Sequence, residues 1–401
     1  MSEYIFILGR ESALSVAEIA AVARRQGVAL KWLEITLSYA RVQAELPPGF
    51  FGQLAGTIKL AQVAGRVQPT AESLEQLMIE TLESTGNEQW HFGLSWYGGK
   101  PPRWLKEAGM SVKHQAREAG RRARLVVARD PQLSSVVVAK NKLLPPQGCE
   151  FILLPQAQEV LVGRTLAVQE FEDWSQRDYG RPERDLKVGM LPPKLARLMI
   201  NLAAVPTSAG LLDPFCGSGT VLQEAALLGY QELWGADADD KGIERSRANF
   251  KWLKERYVKV TIEPHFIVSS IADLPRRLTG RRFNAIVTEP YLGPALTGRE
   301  DPSRLSRIQQ ELTGFYRRIL ATLAELLEPG GSLVMIWPVI YDKSGFEQPL
   351  LVTTAALEAG FELVDPLPPE VPVTFRRQRG TLLYHRPNQH LGREILVLHK
   401  N

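Results

Sequence analysis

Cysteine is nearly missing from this chain: Cys149 and Cys216 are the only two in 401 residues. Two thiols exclude a disulfide framework and a cysteine-rich zinc site. A reducing, cytoplasmic home is the expectation. Histidine is sparse as well, with six in all. His91, His114, His265 and His399 are scattered, and the nearer pair His385 and His390 has no cysteine beside it, so no metal is expected. No apolar run approaches the roughly 20 residues that a membrane span needs. The N-terminus lacks a basic segment leading into an apolar stretch with a small-residue cleavage site. Neither a membrane partner nor a secretory leader is therefore expected. Oligomeric state has no signature here.

What is present describes a globular protein. Hydrophobic residues make up 44% and charged residues 23%, enough for a real core, and the length favours more than one domain. The net charge is only +4, but its distribution is uneven. Lys100 to Lys142 carries eleven Lys/Arg against three acidic residues, a local excess of eight. A basic block on a near-neutral body points to a polyanion such as structured RNA, read against the alternative of a solvated helix face. The candidate contacts are Lys113, Arg117, Arg121, Arg122, Arg124, Lys140 and Lys142.

Hydrophobic patterning divides the chain into three folded parts. Residues 1–87 read as a compact α+β unit opening with the strand Tyr4–Leu8. Residues 88–170 read as a second α+β unit, with a basic amphipathic helix Trp104–Arg122 and β-rich runs at Arg124–Ala128, Ser134–Lys140, Glu150–Leu154 and Val160–Gln169. The polar stretch 171–188 reads as a linker. From residue 189 to 401, strands and helices alternate: Gly210–Asp213, Thr220–Leu228, Glu232–Ala236, Asp240–Arg256, His265–Val268, Phe283–Thr288, Pro302–Leu327, Gly331–Trp337 and Glu347–Ala359. That order predicts a doubly wound α/β domain with a mostly parallel sheet. Thr381–Tyr384 and Arg393–His399 flank a turn-rich stretch, predicting an antiparallel C-terminal hairpin at one sheet edge.

The residues that carry chemistry sit at strand ends. Asp213-Pro214-Phe215-Cys216-Gly217-Ser218-Gly219-Thr220 joins a strand to a helix. Its glycines let backbone approach a ligand, and the helix start offers free N–H groups. Asp237 ends the next strand, at the separation of a ribose-binding acid, and Asp273 follows the third, where an acid could hold an adenine amine. The dinucleotide fingerprint is absent, since Leu222 stands where its third glycine would be. Met190-Leu191-Pro192-Pro193-Lys194 is expected to cap the cofactor pocket and start a helix.

Asp213–Thr220 resembles the S-adenosylmethionine motif of the amino-methyltransferases. Arg177-Asp178-x-x-Arg181-Pro182-x-x-Asp185, then Gly189–Ala196 and Asn201-Leu202-Ala203, resemble the THUMP-containing tRNA guanine-N2-methyltransferases of archaea and eukaryotes. Leu133–Lys142 resembles their THUMP module, and Phe6–Glu11 is similar to their N-terminal domain. The resemblance implies a Rossmann-like methyltransferase domain preceded by a THUMP-type RNA-binding region. It also implies S-adenosylmethionine as cofactor and tRNA as partner.

The catalytic loop departs from that family. The family has Asp/Asn-Pro-Pro-Tyr, and this chain has Thr288-Glu289-Pro290-Tyr291. Either Thr288 occupies the Asp/Asn position, or Glu289 takes over its role. Glu289 is preferred, because a carboxylate accepts a strong hydrogen bond from a base amine. Tyr291 is expected to stack on the base. Two other readings stay open: amino-methylation of adenine or cytosine in DNA or another RNA, and a non-catalytic RNA-binding pseudo-methyltransferase.

Overall fold

A computed structural model describes every residue except 185–189, 298–299, 342–346, 351–352 and 387–388. Asp185 and Gly189 of the motif, and the expected domain start at 189, thus lie outside the described residues. The chain forms two compact units. One comprises 1–12, 28–52 and 57–173; the other comprises 13–27, 53–56 and 174–401.

The first unit is built on eight strands: β1 (Ser2–Leu8), β2 (Lys31–Ile35), β3 (Tyr39–Ala44), β4 (Thr57–Val67), β5 (Gln89–Trp96), β6 (Arg122–Val126), β7 (Cys149–Pro155) and β8 (Val160–Val168). They form one sheet in the order β2-β3-β1-β4-β8-β7-β5-β6. The expected division at residue 87 is therefore corrected. Strand β4 pairs β8 along its length, Lys59 against Val168 through Val67 against Val160, so the two segments share one sheet. Helix α1 (Ser12–Arg25) groups from Ala13 onward with the second unit.

Helices α2 (Ala71–Glu83) and α3 (Arg103–Glu118) follow β4 and β5. Leu74, Met78 and Leu82 of α2, and Leu105, Ala108, Val112 and Ala116 of α3, recur at helical spacing. They share one core with Trp90, Phe92, Phe151 and Leu153. The run Ser134–Lys140, expected as a strand, is instead helix α4 (Ser135–Lys140). Ser134 caps it by accepting the Val137 N–H at 3.3 Å, and Val138 packs with Leu133 and Leu143. A cap and one buried face outweigh the strand preference of three valines.

The second unit begins in α5 (Phe171–Tyr179) and α6 (Pro193–Leu202). The expected linker is thus partly a helix, because Trp174 and Arg177 are buried on one side of it. Then come β9 (Gly210–Asp213), α7 (Thr220–Leu228), β10 (Glu232–Asp237), α8 (Asp240–Arg256), β11 (His265–Val268), α9 (Leu274–Arg277), β12 (Phe283–Thr288), α10 (Pro302–Leu326) and β13 (Leu327–Tyr341). The chain ends in β14 (Glu347–Pro349), α11 (Thr353–Glu358), β15 (Phe361–Val364), β16 (Leu382–Tyr384) and β17 (Leu391–Lys400). The expected helix at Glu347–Ala359 is thereby shortened to α11.

The sheet order is β11-β10-β9-β12-β13-β17-β15. Strands β9 to β13 are mutually parallel. The C-terminal hairpin forms, with Leu382 opposite Ile395. Its long strand β17 is not at an edge: it runs antiparallel between β13 and β15. Burial on both faces explains this, since Ile395, Leu396, Val397 and Leu398 are all buried. One face of the sheet is covered by α10, whose Leu305, Ile308, Leu312, Tyr316, Ile319 and Leu323 pack on Ile286, Leu333 and Met335.

Candidate functional site

The three parallel strands β9, β10 and β12 stop side by side, and their last residues are Asp213, Asp237 and Thr288. A cavity of about 860 Å³ opens over these ends, within the size range of small-molecule sites. Its walls include Met190, Asp213, Phe215–Ser218, Thr220, Asp237, Glu289–Leu296 and Arg393.

The glycine loop is held from behind. Ser246 donates to the Gly217 carbonyl at 2.9 Å, and Asn249 donates to the Ser218 carbonyl at 3.0 Å. Gln223 donates to the carbonyls of Ser218 and Gly219. With those oxygens taken, the loop turns toward the cavity at the start of α7, where first-turn N–H groups lack helical partners. Gly217 and Gly219 have φ of +49° and +79°, a region that favours glycine. A Cβ on Gly219 would also stand 2.9 Å from Ser246 Oγ. Gly219 and Pro214 are buried and shape the loop without lining the cavity, whereas Cys216, Ser218 and Thr220 line it.

Asp237 is fixed by backbone. Its Oδ2 accepts the Gly217 N–H at 2.8 Å and its Oδ1 the Asp239 N–H at 2.9 Å. Each oxygen keeps a lone pair for a ligand hydroxyl. Asp213 is fully buried; its Oδ1 accepts from Phe215 N at 3.2 Å and from the Thr288 hydroxyl at 2.7 Å. Burial pushes its pKa up to about 7, and the nearby charges of Asp237 and Glu289 push the same way. Thr288 is wholly buried and spent on this bond, so it is not a free acceptor.

Asp273 is not brought in. It is exposed, does not line the cavity, and its carboxylate accepts the Ser270 hydroxyl at 2.7 Å beside the start of α9. The expected adenine contact is corrected on that ground: strand β11 ends in a turn that keeps Asp273 outside the cavity lining, with one carboxylate oxygen on Ser270.

At the other end of the cavity stands Glu289-Pro290-Tyr291. Tyr291 is 56% exposed, and its carbonyl lies 3.2 Å from the buried Tyr316 hydroxyl on α10. Glu289 Oε1 accepts the Nε–H of Arg393, on β17, at 2.6 Å. Arg393 and Tyr316 were not legible as site residues, being 104 and 25 positions from their partners with no local motif. Several residues that carried the family resemblance are structural. Arg177 binds buried Glu224, which Arg197 outside those motifs also pairs, and Asn201 donates to Glu18 at 2.7 Å. Arg181 donates to Thr220 Oγ1 at 2.6 Å and so braces the start of α7.

The basic residues belong to the first unit. Lys113 and Arg117 are exposed on α3, and Arg122 and Arg124 are exposed on one face of the edge strand β6. Lys140 ends α4 and Lys142 follows it, both exposed. Burial lowers the pKa of His91, helped by the charges of Arg124 and Lys142, which therefore crowd one spot. Two of them are engaged within the unit: Arg124 donates to Asn141 Oδ1 at 3.0 Å, and Arg121 donates to the Asn87 carbonyl at 3.0 Å and lies 4.9 Å over the Trp90 ring.

Residues 181–342 match the family described as UPF0020, RMKL-like, methyltransferase domain. Over 184 residues the chain is 35% identical to tRNA (guanine(10)-N2)-dimethyltransferase of Methanothermobacter thermautotrophicus, covering 45% of this chain and 48% of that one. It is 28% identical to the protein of the same name from Methanocaldococcus jannaschii, over the same shares. The chain thus spans about half the length of these curated relatives. Among solved structures it is similar to TrmN from Thermus thermophilus, with a TM-score of 0.53 and 17% identity across 100% of both chains. A possible methylase from Clostridium difficile 630 gives 0.52 and 12% identity, over 100% of this chain and 98% of that one. The fold is that of the Rossmann-like methyltransferases.

Proposed function

We propose that this chain is an S-adenosylmethionine-dependent methyltransferase acting on the exocyclic N2 amine of a guanine in tRNA. The observation that carries the reading is a single cavity with a cofactor-type glycine loop and Asp237 at one end and Glu289-Pro290-Tyr291 at the other. The curated relatives carry the name tRNA (guanine(10)-N2)-dimethyltransferase, which supports the substrate class.

The donor set suits the cofactor. Gly217 and Ser218 present backbone at close range, Asp237 accepts the ribose hydroxyls, and Met190 and Phe215 supply apolar wall. Bound there, S-adenosylmethionine supplies an electrophilic sulfonium methyl group. The protein does the rest by positioning and electrostatics. Tyr291 is exposed enough to stack on a base turned out of its helix. Glu289 accepts a hydrogen bond from the amine, favours the positive charge that its nitrogen gains as the methyl group passes to it from the sulfonium, and stands where it can take the amine proton that then leaves. The buried Tyr316 hydroxyl holds the loop backbone at Tyr291. Exposed Lys113, Arg117, Arg122, Arg124, Lys140 and Lys142 of the first unit supply phosphate contacts.

The test is nucleoside mass spectrometry of tRNA from cells with and without this gene, followed by transfer to the unmodified tRNA in vitro. Loss of an N2-methylated guanosine in the deleted strain is expected. Loss of a methylated adenosine or cytidine instead would replace the base, and binding of cofactor and tRNA without transfer would leave a pseudo-enzyme.

A further inference from the structure

The pair formed by Glu289 and Arg393 has chemistry left over. Both side chains are only 15% exposed, and both line the cavity. Arg393 spends its Nε–H on Glu289 Oε1. Among the described residues its two terminal amino groups and Glu289 Oε2 have no hydrogen-bond partner. These atoms open on the cavity without a partner from the protein, so a donor pair and an acceptor stand ready for a ligand that completes them.

Resting on the tRNA reading above, we propose that Glu289 and Arg393 together read the guanine edge and that Arg393 is a specificity-determining residue. Guanine offers two donors side by side, N1–H and the N2 amine, followed by one acceptor, O6. A carboxylate accepts the two donors, and a guanidinium held against it donates to O6. Adenine and cytosine place a ring-nitrogen lone pair next to their amine, which would face the carboxylate unfavourably. The pair therefore selects guanine by repulsion as well as attraction. Strand β17 supplies the counter-ion of this carboxylate.

The test compares tRNA carrying guanine with tRNA carrying 2-aminopurine at the methylated position, located first by mass spectrometry of nuclease fragments. That analogue keeps the N2 amine but lacks O6 and the N1 proton. Wild-type protein should methylate guanine at least about 10²-fold faster, the scale of losing one or two hydrogen bonds to charged groups. Arg393→Met should slow transfer to guanine by about 10² and slow 2-aminopurine much less, narrowing the ratio. Arg393→Lys, which keeps a donor, should recover part of the guanine rate. Calorimetric cofactor binding and the melting temperature serve as controls for folding. Equal rates of the wild-type protein on the two tRNAs would overturn the proposal without any variant. So would an Arg393→Met protein that binds cofactor normally and loses both substrates equally, since Arg393 would then only hold Glu289 in place. If no tRNA guanine is methylated at all, the reading on which this rests has failed instead.

Discussion

The Thr288 hydroxyl donates to Asp213 Oδ1 at 2.7 Å, across 75 residues, and ties the ends of β12 and β9 together beneath the cavity. A buried bond is worth about 0.5–1.5 kcal/mol to a neutral carboxyl group and about 1.5–3 kcal/mol to an ionised one. Thr288→Val keeps the shape and removes the donor. The variant should lose stability within those ranges in urea unfolding and should bind cofactor less tightly, because Asp213 then has only Phe215 N. Wild-type stability in Thr288→Val would show that the bond contributes nothing.

Asp213 also predicts a pH dependence. Its folded pKa of about 7 lies above the ordinary 3.8 because burial disfavours the charge. Between these values the folded state holds a proton that the unfolded state has lost, so stability falls as pH rises through that window. The contribution is fully present below the unfolded pKa and is gone above about 7. Asp213→Asn cannot titrate, so its unfolding free energy should change less between pH 5 and pH 8 than that of the wild type. Parallel curves for the two proteins would refute the assignment.

Asp237 makes a separable prediction about the cofactor. Its oxygens are held by the N–H groups of Gly217 and Asp239 and face the cavity. Asp237→Ala should weaken S-adenosylmethionine binding by about 10²-fold, the loss of hydrogen bonds to a charged acceptor. Calorimetry measures it, and tRNA affinity should hold. A variant that binds cofactor normally would place the ribose elsewhere.

Tyr316 holds the catalytic loop by its main chain. Its hydroxyl lies 3.2 Å from the Tyr291 carbonyl and 3.3 Å from that of Ile336. Tyr316→Phe preserves the ring packing and removes the shared proton. Turnover should fall by about tenfold while cofactor affinity is retained, since a misplaced reacting group is costly. Equal loss of both would point to general unfolding.

The basic surface predicts a salt slope. Arg121 is occupied by Asn87 and Trp90 and Arg124 by Asn141, so Lys113, Arg122 and Lys142 are the better choice for replacement. Replacing these three with Ala should reduce the slope of log affinity against log salt by roughly 2–3, at slightly under one per phosphate contact. Arg121→Ala alone should leave the slope nearly unchanged and cost stability. An unaltered slope in the triple variant would move the tRNA surface elsewhere.

Local chemistry in the sequence was enough to place the glycine loop, Asp237 and the alternation of strands and helices. Positive-φ glycines, helix starts and hydrophobic periods are demands that a few neighbouring residues meet by themselves, and Gly217, Gly219 and α10 are where the patterning puts them. The Pro290-Tyr291 dipeptide likewise marks the end of β12 without reference to anything distant. Tertiary structure decided the rest. Val136–Val138 became helix through a cap and a small buried cluster, against their strand preference. The carboxylate of Asp273 was bound by its own turn and left outside. Two apparent N-terminal domains shared one sheet because β4 and β8 bury each other's edges. Arg393 reached Glu289 only because β17 runs antiparallel to β13, with Arg393 opposite Pro338. Strand order and ion pairing of this kind depend on which faces the whole chain can bury together. No window of neighbouring residues contains that information.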